Sequence, residues 1–150
     1  MRKPYCRPAE ALLESQMPSK DPFHLFHLWF EHACGAATEE FEKNAMYLST
    51  ATPDGKPSSR MVLLKGYDSE GFRFFTNYNS RKGQELESNP FAAALFYWPY
   101  LNMQVRVEGT VEKLAPEQAD EYWSQRPANS QASAYISQQS ALIDSREVAI

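Results

Sequence analysis

The sequence predicts a β-rich α+β domain, a small β-barrel with helices at its periphery. Three observations point there. Turn-forming clusters at Thr52-Pro53-Asp54-Gly55 and Asp68-Ser69-Glu70-Gly71 cut the middle of the chain into short extended runs. Met103, Val105, Val107 and Val111 alternate with Gln104, Arg106, Glu108, Thr110 and Glu112, the period of a strand with one face buried. Helical spacing is confined to the flanks of this region, so strands form the centre and helices cover it.

The elements follow in order. Residues 1–20 are polar, carry Pro4, Pro8 and Pro18, and read as an N-terminal arm with a short helical stretch near 9–16; the domain proper spans 21–150. Asp21-Pro22 has the form of a helix N-cap followed by proline at the first helical position, where its missing N–H costs nothing. Phe23, Phe26, Phe30 and Ala33 recur at helical spacing beside Trp29, and Gly35 is placed to stop the helix. Strands are expected at 45–52, 59–67 and 72–77, joined by the two turns into an antiparallel meander. Ser80-Arg81-Lys82-Gly83 opens a short helix that ends before Asn89-Pro90. The apolar run 91–98 reads as a buried strand and 103–114 as the half-buried one. Pro116 starts a helix that runs through Gln125 and is stopped by Arg126-Pro127, and 130–139 is a weaker helical stretch.

Composition excludes several classes of function. The chain has 150 residues, 43% of them hydrophobic, which suits one globular domain with its own core. Its longest apolar run, 91–98, is far short of the ~20 residues a membrane helix needs. No apolar stretch follows Met1-Arg2-Lys3-Pro4-Tyr5, so no secretory signal is expected and the expected location is the cytoplasm. Cys6 and Cys34 are too few for a disulfide framework. A formal net charge of −4 argues against a general nucleic-acid binder. His24 and His27, with Glu31 a turn on, lack a metal-ligand pattern and read as the solvent side of an amphipathic helix, so no metal is expected. Cys34 has no His or other base nearby in sequence to activate it.

The basic residues carry more information. Arg60 and Lys65 bracket Met61-Val62-Leu63-Leu64. Ideal alternation puts them on opposite faces, so a common role needs the strand's end, a bulge or two neighbouring sites. Ser80-Arg81-Lys82-Gly83 sets a hydroxyl and two cations where a helix begins, and free N–H groups there favour an anion, phosphate above all. The competing reading is a solvated basic surface. Gln104 and Arg106 share the polar face of their strand with Glu108, either as a binding face or as an exposed face with a cross-strand ion pair. Tyr122 and Arg126, spaced i, i+4, face the same way, and Arg126 with Ser130 beyond forms either a second phosphate cradle or a helix C-cap. Gln139-Ser140 lies in a polar stretch. There is no Walker loop, no Rossmann glycine fingerprint, no Gly-x-Ser-x-Gly elbow and no activated Ser or Cys nucleophile.

Taken in order, the segments resemble the pyridoxine/pyridoxamine 5′-phosphate oxidase family. The matching stretches are Asn44-Ala45-Met46, Asp54-Gly55-Lys56-Pro57-Ser58-Ser59-Arg60-Met61-Val62-Leu63-Leu64-Lys65-Gly66, Gly71-Phe72-Arg73-Phe74-Phe75-Thr76-Asn77 and Ser80-Arg81-Lys82-Gly83. They continue with Asn89-Pro90-Phe91-Ala92, Phe96-Tyr97-Trp98, Gln104-Val105-Arg106-Val107-Glu108-Gly109, Ser124-Gln125-Arg126-Pro127 and Gln139-Ser140. The resemblance implies a split β-barrel that forms a homodimer with FMN at the subunit interface. It implies that Arg60, Met61, Val62 and Leu63 line the flavin with Phe75 and Thr76 beside it, and that Arg81 and Lys82 hold the FMN phosphate. Gln104, Arg106, Gln139 and Ser140 would reach FMN from the partner subunit, and Lys65, Tyr122, Arg126 and Ser130 would grip the substrate phosphate.

The implied reaction oxidises pyridoxamine or pyridoxine 5′-phosphate to pyridoxal 5′-phosphate, a step of vitamin B6 metabolism. Dioxygen is the acceptor, and neither nucleic acid, membrane nor metal takes part. The flavin drives hydride transfer, so no side chain is assigned as catalytic. The family continues past the equivalent of Glu147 into a segment with a Trp and an Arg that contact FMN and an Arg-x-His motif over the substrate. A position often basic in the family is Met103 here. The resemblance therefore implies an FMN-dependent oxidase or, as the alternative, a catalytically impaired short form that binds FMN or pyridoxal 5′-phosphate without turnover.

Overall fold

A computed structural model describes residues 13–36, 41–137 and 139–142. The chain forms two compact units, Met1–Lys43 and Asn44–Ile150. In the first, the expected helical stretch near 9–16 is a single 3-10 turn at Glu14–Gln16, and its start lies outside the described residues. Helix α1 spans Pro22–Ala36. The Asp21 carboxylate accepts the Phe23 N–H at 3.0 Å, satisfying one of the donors that a helix start leaves open. Phe26 and Ala33 are buried, and the Phe26 and Phe30 rings stack at 5.7 Å. The helix runs past Gly35 to Ala36, because glycine permits a left-handed stop and does not impose one. Replacing Asp21 with alanine removes the cap, and chemical denaturation of the variant beside the parent should show a loss of about 1 kcal/mol.

The second unit holds β1 (Ala45–Ala51), β2 (Pro57–Leu63), β3 (Gly66–Asp68), β4 (Gly71–Arg73), α2 (Arg81–Ser88), β5 (Phe91–Trp98), β6 (Met103–Thr110), α3 (Pro116–Gln125) and α4 (Ala128–Ile136). A four-stranded antiparallel sheet has the order β2-β1-β5-β6, and β3 pairs with β4 separately. The strands are therefore not the expected simple meander. Two hairpins are joined through β1 and β5, with β3, β4 and α2 forming the crossover. β1 needs partners on both sides because Met46, Leu48 and Thr50 make it the most buried strand. The expected strand 59–67 breaks in two: the Leu64 N–H bonds the Asn44 carbonyl while the Lys65 N–H bonds the Arg73 carbonyl, so the chain passes from one sheet to the other there. The expected strand 72–77 contributes only Gly71–Arg73 to a ladder. In the β1–β2 turn Gly55 takes φ +83°, which only glycine adopts without strain, and its N–H bonds the Thr52 carbonyl at 2.9 Å.

The core lies on one face of the large sheet. Met46 and Leu48 from β1 meet Phe96 and Trp98 from β5, with the Phe72 ring 5.9 Å from Phe96. The other face exposes Tyr47, Met61, Leu63, Phe91 and Tyr97. The apolar run 91–98 is thus a strand, though not a wholly buried one, since strand alternation places Phe91 and Tyr97 on the open face. β6 keeps the expected alternation through Glu108 but ends at Thr110, short of the expected 114, and α3 has the expected bounds with Pro116 at its start. No helix among the described residues is long and apolar enough to cross a membrane.

Candidate functional site

The start of α2 carries the first cluster. Ser80 caps the helix: its Oγ accepts the Gly83 N–H at 3.4 Å and donates to the Asn77 carbonyl at 2.6 Å. Gly83 lets the helix lie against the Tyr78 backbone, where a Cβ would stand 2.2 Å from the carbonyl oxygen. Lys82, in the first turn, is only 8% exposed. Its Nζ donates to Ser80 Oγ at 3.3 Å and to Gln139 Oε1, and among the described residues no carboxylate pairs with it. Burial, and then the like charge of Arg60, push the Lys82 ammonium below its usual pKa.

Arg60 reaches the same region from the core face of β2. Its Nη1 donates to the Leu48 carbonyl at 3.2 Å and to Thr50 Oγ1 at 2.6 Å, and its Nη2 donates to Ser58 Oγ. Glu85 joins the two elements. Its Oε1 accepts from Arg81 Nε at 2.8 Å, and its Oε2 accepts from Thr50 Oγ1 and Ser58 Oγ, with Arg60 Nη2 at 3.5 Å. Burial pushes this carboxyl up, but hydrogen bonds from Ser58, Thr50 and Arg81 and the charge of Arg81 outweigh it and hold the pKa at about 2. Because that lies below the ordinary value of 4.5, Glu85's contribution to stability is full above pH 4.5 and is lost as the pH falls toward 2. Thr50, Ser58 and Glu85 were not among the residues picked out from sequence; the available signal was the i, i+4 spacing of Arg81 and Glu85.

A second cluster gathers five of the predicted residues. The Phe75 and Tyr122 rings stack at 3.7 Å, 5° from parallel. Lys65 Nζ and Arg126 Cζ each lie 5.9 Å from the centre of the Tyr122 ring. Arg126, the C-cap residue of α3, donates forward to the Ser130 carbonyl of α4 at 3.1 Å. Arg60 and Lys65 therefore serve different clusters, one from within β2 and the other from the passage beyond its end. Next to Phe75, the Thr76 Oγ1 is buried with no hydrogen-bond partner among the described residues.

The remaining predicted residues lie elsewhere. Val62 is half-buried on the core face of β2, while Met61 and Leu63 are on the open face. Gln104 and Arg106 are exposed on β6 at the sheet edge, and Arg106 pairs with Glu108 of its own strand at 2.9 Å instead of across strands. Gln139 sits beside Lys82 of its own chain, and Ser140 is exposed with φ +70°.

The sheet order, the flanking helices and the cation-bearing start of α2 define the split β-barrel class of proteins. The family described as pyridoxamine 5′-phosphate oxidase matches residues 35–150. Pyridoxine-5′-phosphate oxidase from Bos taurus is 54% identical over 98% of this chain, which spans 56% of that relative. Pyridoxine/pyridoxamine 5′-phosphate oxidase from Pseudomonas putida is 50% identical over 98% of this chain and 67% of its own length. Among solved structures, PhzG from Burkholderia lata, in complex with tetrahydrophenazine-1-carboxylic acid, superposes with a TM-score of 0.85 at 31% identity, covering 94% of this chain and 69% of that one. A pyridoxamine 5′-phosphate oxidase-related FMN-binding protein from Nostoc punctiforme has the same fold, with a TM-score of 0.64 at 18% identity over 87% of this chain and 71% of its own. The chain belongs to the pyridoxamine 5′-phosphate oxidase family, a family of oxidoreductases.

Proposed function

We propose that this chain binds FMN and, as a cytoplasmic homodimer, oxidises pyridoxamine or pyridoxine 5′-phosphate to pyridoxal 5′-phosphate with dioxygen as acceptor. One observation carries the reading: a single segment joins two cation clusters, Phe75 stacking on Tyr122 beside Lys65 and Arg126, and the Asn77 carbonyl accepting from Ser80, the cap of the helix that carries Arg81 and Lys82. A flavin phosphate and a substrate phosphate are anions of the kind such clusters hold. The residues fit FMN. Lys82 is a buried cation lacking a carboxylate partner among the described residues, and the Thr76 hydroxyl is buried without a hydrogen-bond partner among them.

FMN when bound supplies the hydride acceptor and the route for electrons to dioxygen. The chain's own groups position and neutralise. Arg81, Lys82 and the free N–H groups at the start of α2 would hold the cofactor phosphate, with Arg60 contributing a further positive charge from β2. Lys65 and Arg126 would offset the substrate phosphate, each held 5.9 Å from the centre of the Tyr122 ring. The curated relatives at 50–54% identity are named for vitamin B6 phosphates, which favours a phosphorylated substrate over the phenazine seen with the 31% identical structure.

A second copy supplies what one chain holds apart. Met61, Tyr47, Leu95 and Arg106 form one row across the sheet, so Met61 and Arg106 stand about 14 Å apart at the usual strand spacing. Self-association through the open face would cover Tyr47, Met61 and Phe91 and bring one copy's Gln104 and Arg106 toward the other's β2. Titrating the purified chain into FMN should quench flavin fluorescence to saturation at a dimer's mass in solution, and pyridoxamine 5′-phosphate should then release peroxide. Bound FMN without peroxide selects the catalytically impaired form, and absence of quenching overturns the flavin reading.

A further inference from the structure

The flavin reading leaves Glu85 without a role, although four donors bond its buried carboxylate. It lies on α2 one turn after Arg81, is 4% exposed, and faces β1 and β2. Its two oxygens are divided. Oε1 takes Arg81 from its own helix, and Oε2 takes Thr50 from β1 together with Ser58 and Arg60 from β2. We propose that Glu85 is a positioning residue for phosphate recognition, one carboxylate that fixes the Arg60 and Arg81 guanidinium groups on two different elements before the anion arrives.

The alternative is that Glu85 matters only by its charge, and the two differ in sign. Three cations, Arg60, Arg81 and Lys82, converge here, and Glu85 is the one carboxylate bonded to any of them among the described residues. As mere charge it competes with an incoming phosphate, so neutralising it strengthens phosphate binding. As a positioning group it holds the guanidinium forks in place, so neutralising it frees both side chains and weakens binding through the ordering they must then undergo. A carboxylate with four donors from three elements suits the second role, because a surface counter-ion needs no such fixing.

The inference rests on the flavin reading, and comparing FMN with riboflavin, which lacks the phosphate, tests it. Affinities of the parent chain, Glu85→Gln and Glu85→Asp for both flavins are measured by fluorescence quenching. In E85Q the FMN affinity should fall by roughly tenfold, with riboflavin affinity held within about twofold, and E85D, which keeps the charge, should recover part of the loss. Tighter FMN binding in E85Q, or an equal loss for both flavins, overturns the positioning role. A parent chain that binds neither flavin overturns the flavin reading and this inference with it. Should E85Q not fold, E85D alone decides: its shorter carboxylate cannot span both arginines, so FMN affinity must fall while riboflavin affinity does not, and an unchanged ratio sinks the proposal.

Discussion

Replacing Gly83 with alanine lowers the unfolding free energy by about 3 kcal/mol and Tm by roughly 10 °C. At an ordinary exposed helical position the same change stabilises by about 1 kcal/mol, because glycine is the poorer helix former. Here the new Cβ would lie 2.2 Å from the Tyr78 carbonyl oxygen and 2.6 Å from the carbonyl carbon. Backbone cannot rotate aside as a side chain can. The segment is also tied down: the Ser80 N–H and hydroxyl both bond the Asn77 carbonyl, the Asn79 N–H bonds Asn77 Oδ1 at 2.8 Å, and Gln84 Nε2 bonds the Asn79 carbonyl at 3.2 Å. Relief requires moving α2 away from Tyr78, and Arg81 and Lys82 move with it. FMN affinity should therefore fall together with stability in G83A. Thermal and urea unfolding check the first effect and flavin titration the second; a variant as stable as the parent contradicts the close approach.

The parts legible in the sequence were those set by neighbours in the chain. Asp21-Pro22, Ser80 before Arg81, and Pro116 each mark a helix start by local capping chemistry, and the alternation of β6 follows from side-chain direction alone. The pairing of β1 with β5 was not legible, because it joins residues more than forty positions apart and leaves no periodic trace in either strand. The break between β2 and β3 was hidden for a related reason. Leu64 and Lys65 look extended, and only their partners, Asn44 and Arg73, show that they belong to different sheets. In the site, Arg81 and Lys82 could be read as an anion-binding start of a helix from local pattern. Lys65, Tyr122, Arg126 and Ser130 emerged as a set only through family resemblance, and the ring stack that links them to Phe75 required the fold. Glu85 was missed because its partners come from three elements, and only one of them, Arg81, is near it in sequence.

Lys82→Met separates binding from stability, which G83A cannot. Methionine keeps the length and apolar body of the side chain and removes the ammonium. In the folded chain that ammonium is 8% exposed and, among the described residues, has only the neutral oxygens of Ser80 and Gln139 as partners. Its desolvation works against the folded state, as its lowered pKa records. Burial disfavours the proton, so the unfolded chain binds more of it at high pH, and the parent's stability should rise as the pH approaches 10.5. In K82M that rise should be absent, and stability at neutral pH should equal or exceed the parent's. A charge-assisted hydrogen bond to a phosphate is worth about 1.5–3 kcal/mol, so FMN affinity should fall by between tenfold and about a hundredfold. Riboflavin affinity should change little, and the salt dependence of FMN binding should weaken with one cation fewer at the phosphate. A chain destabilised by this substitution, or one that binds FMN as tightly as before, would show that Lys82 is a structural cation whose partner is Gln139 and not an anion brought from outside.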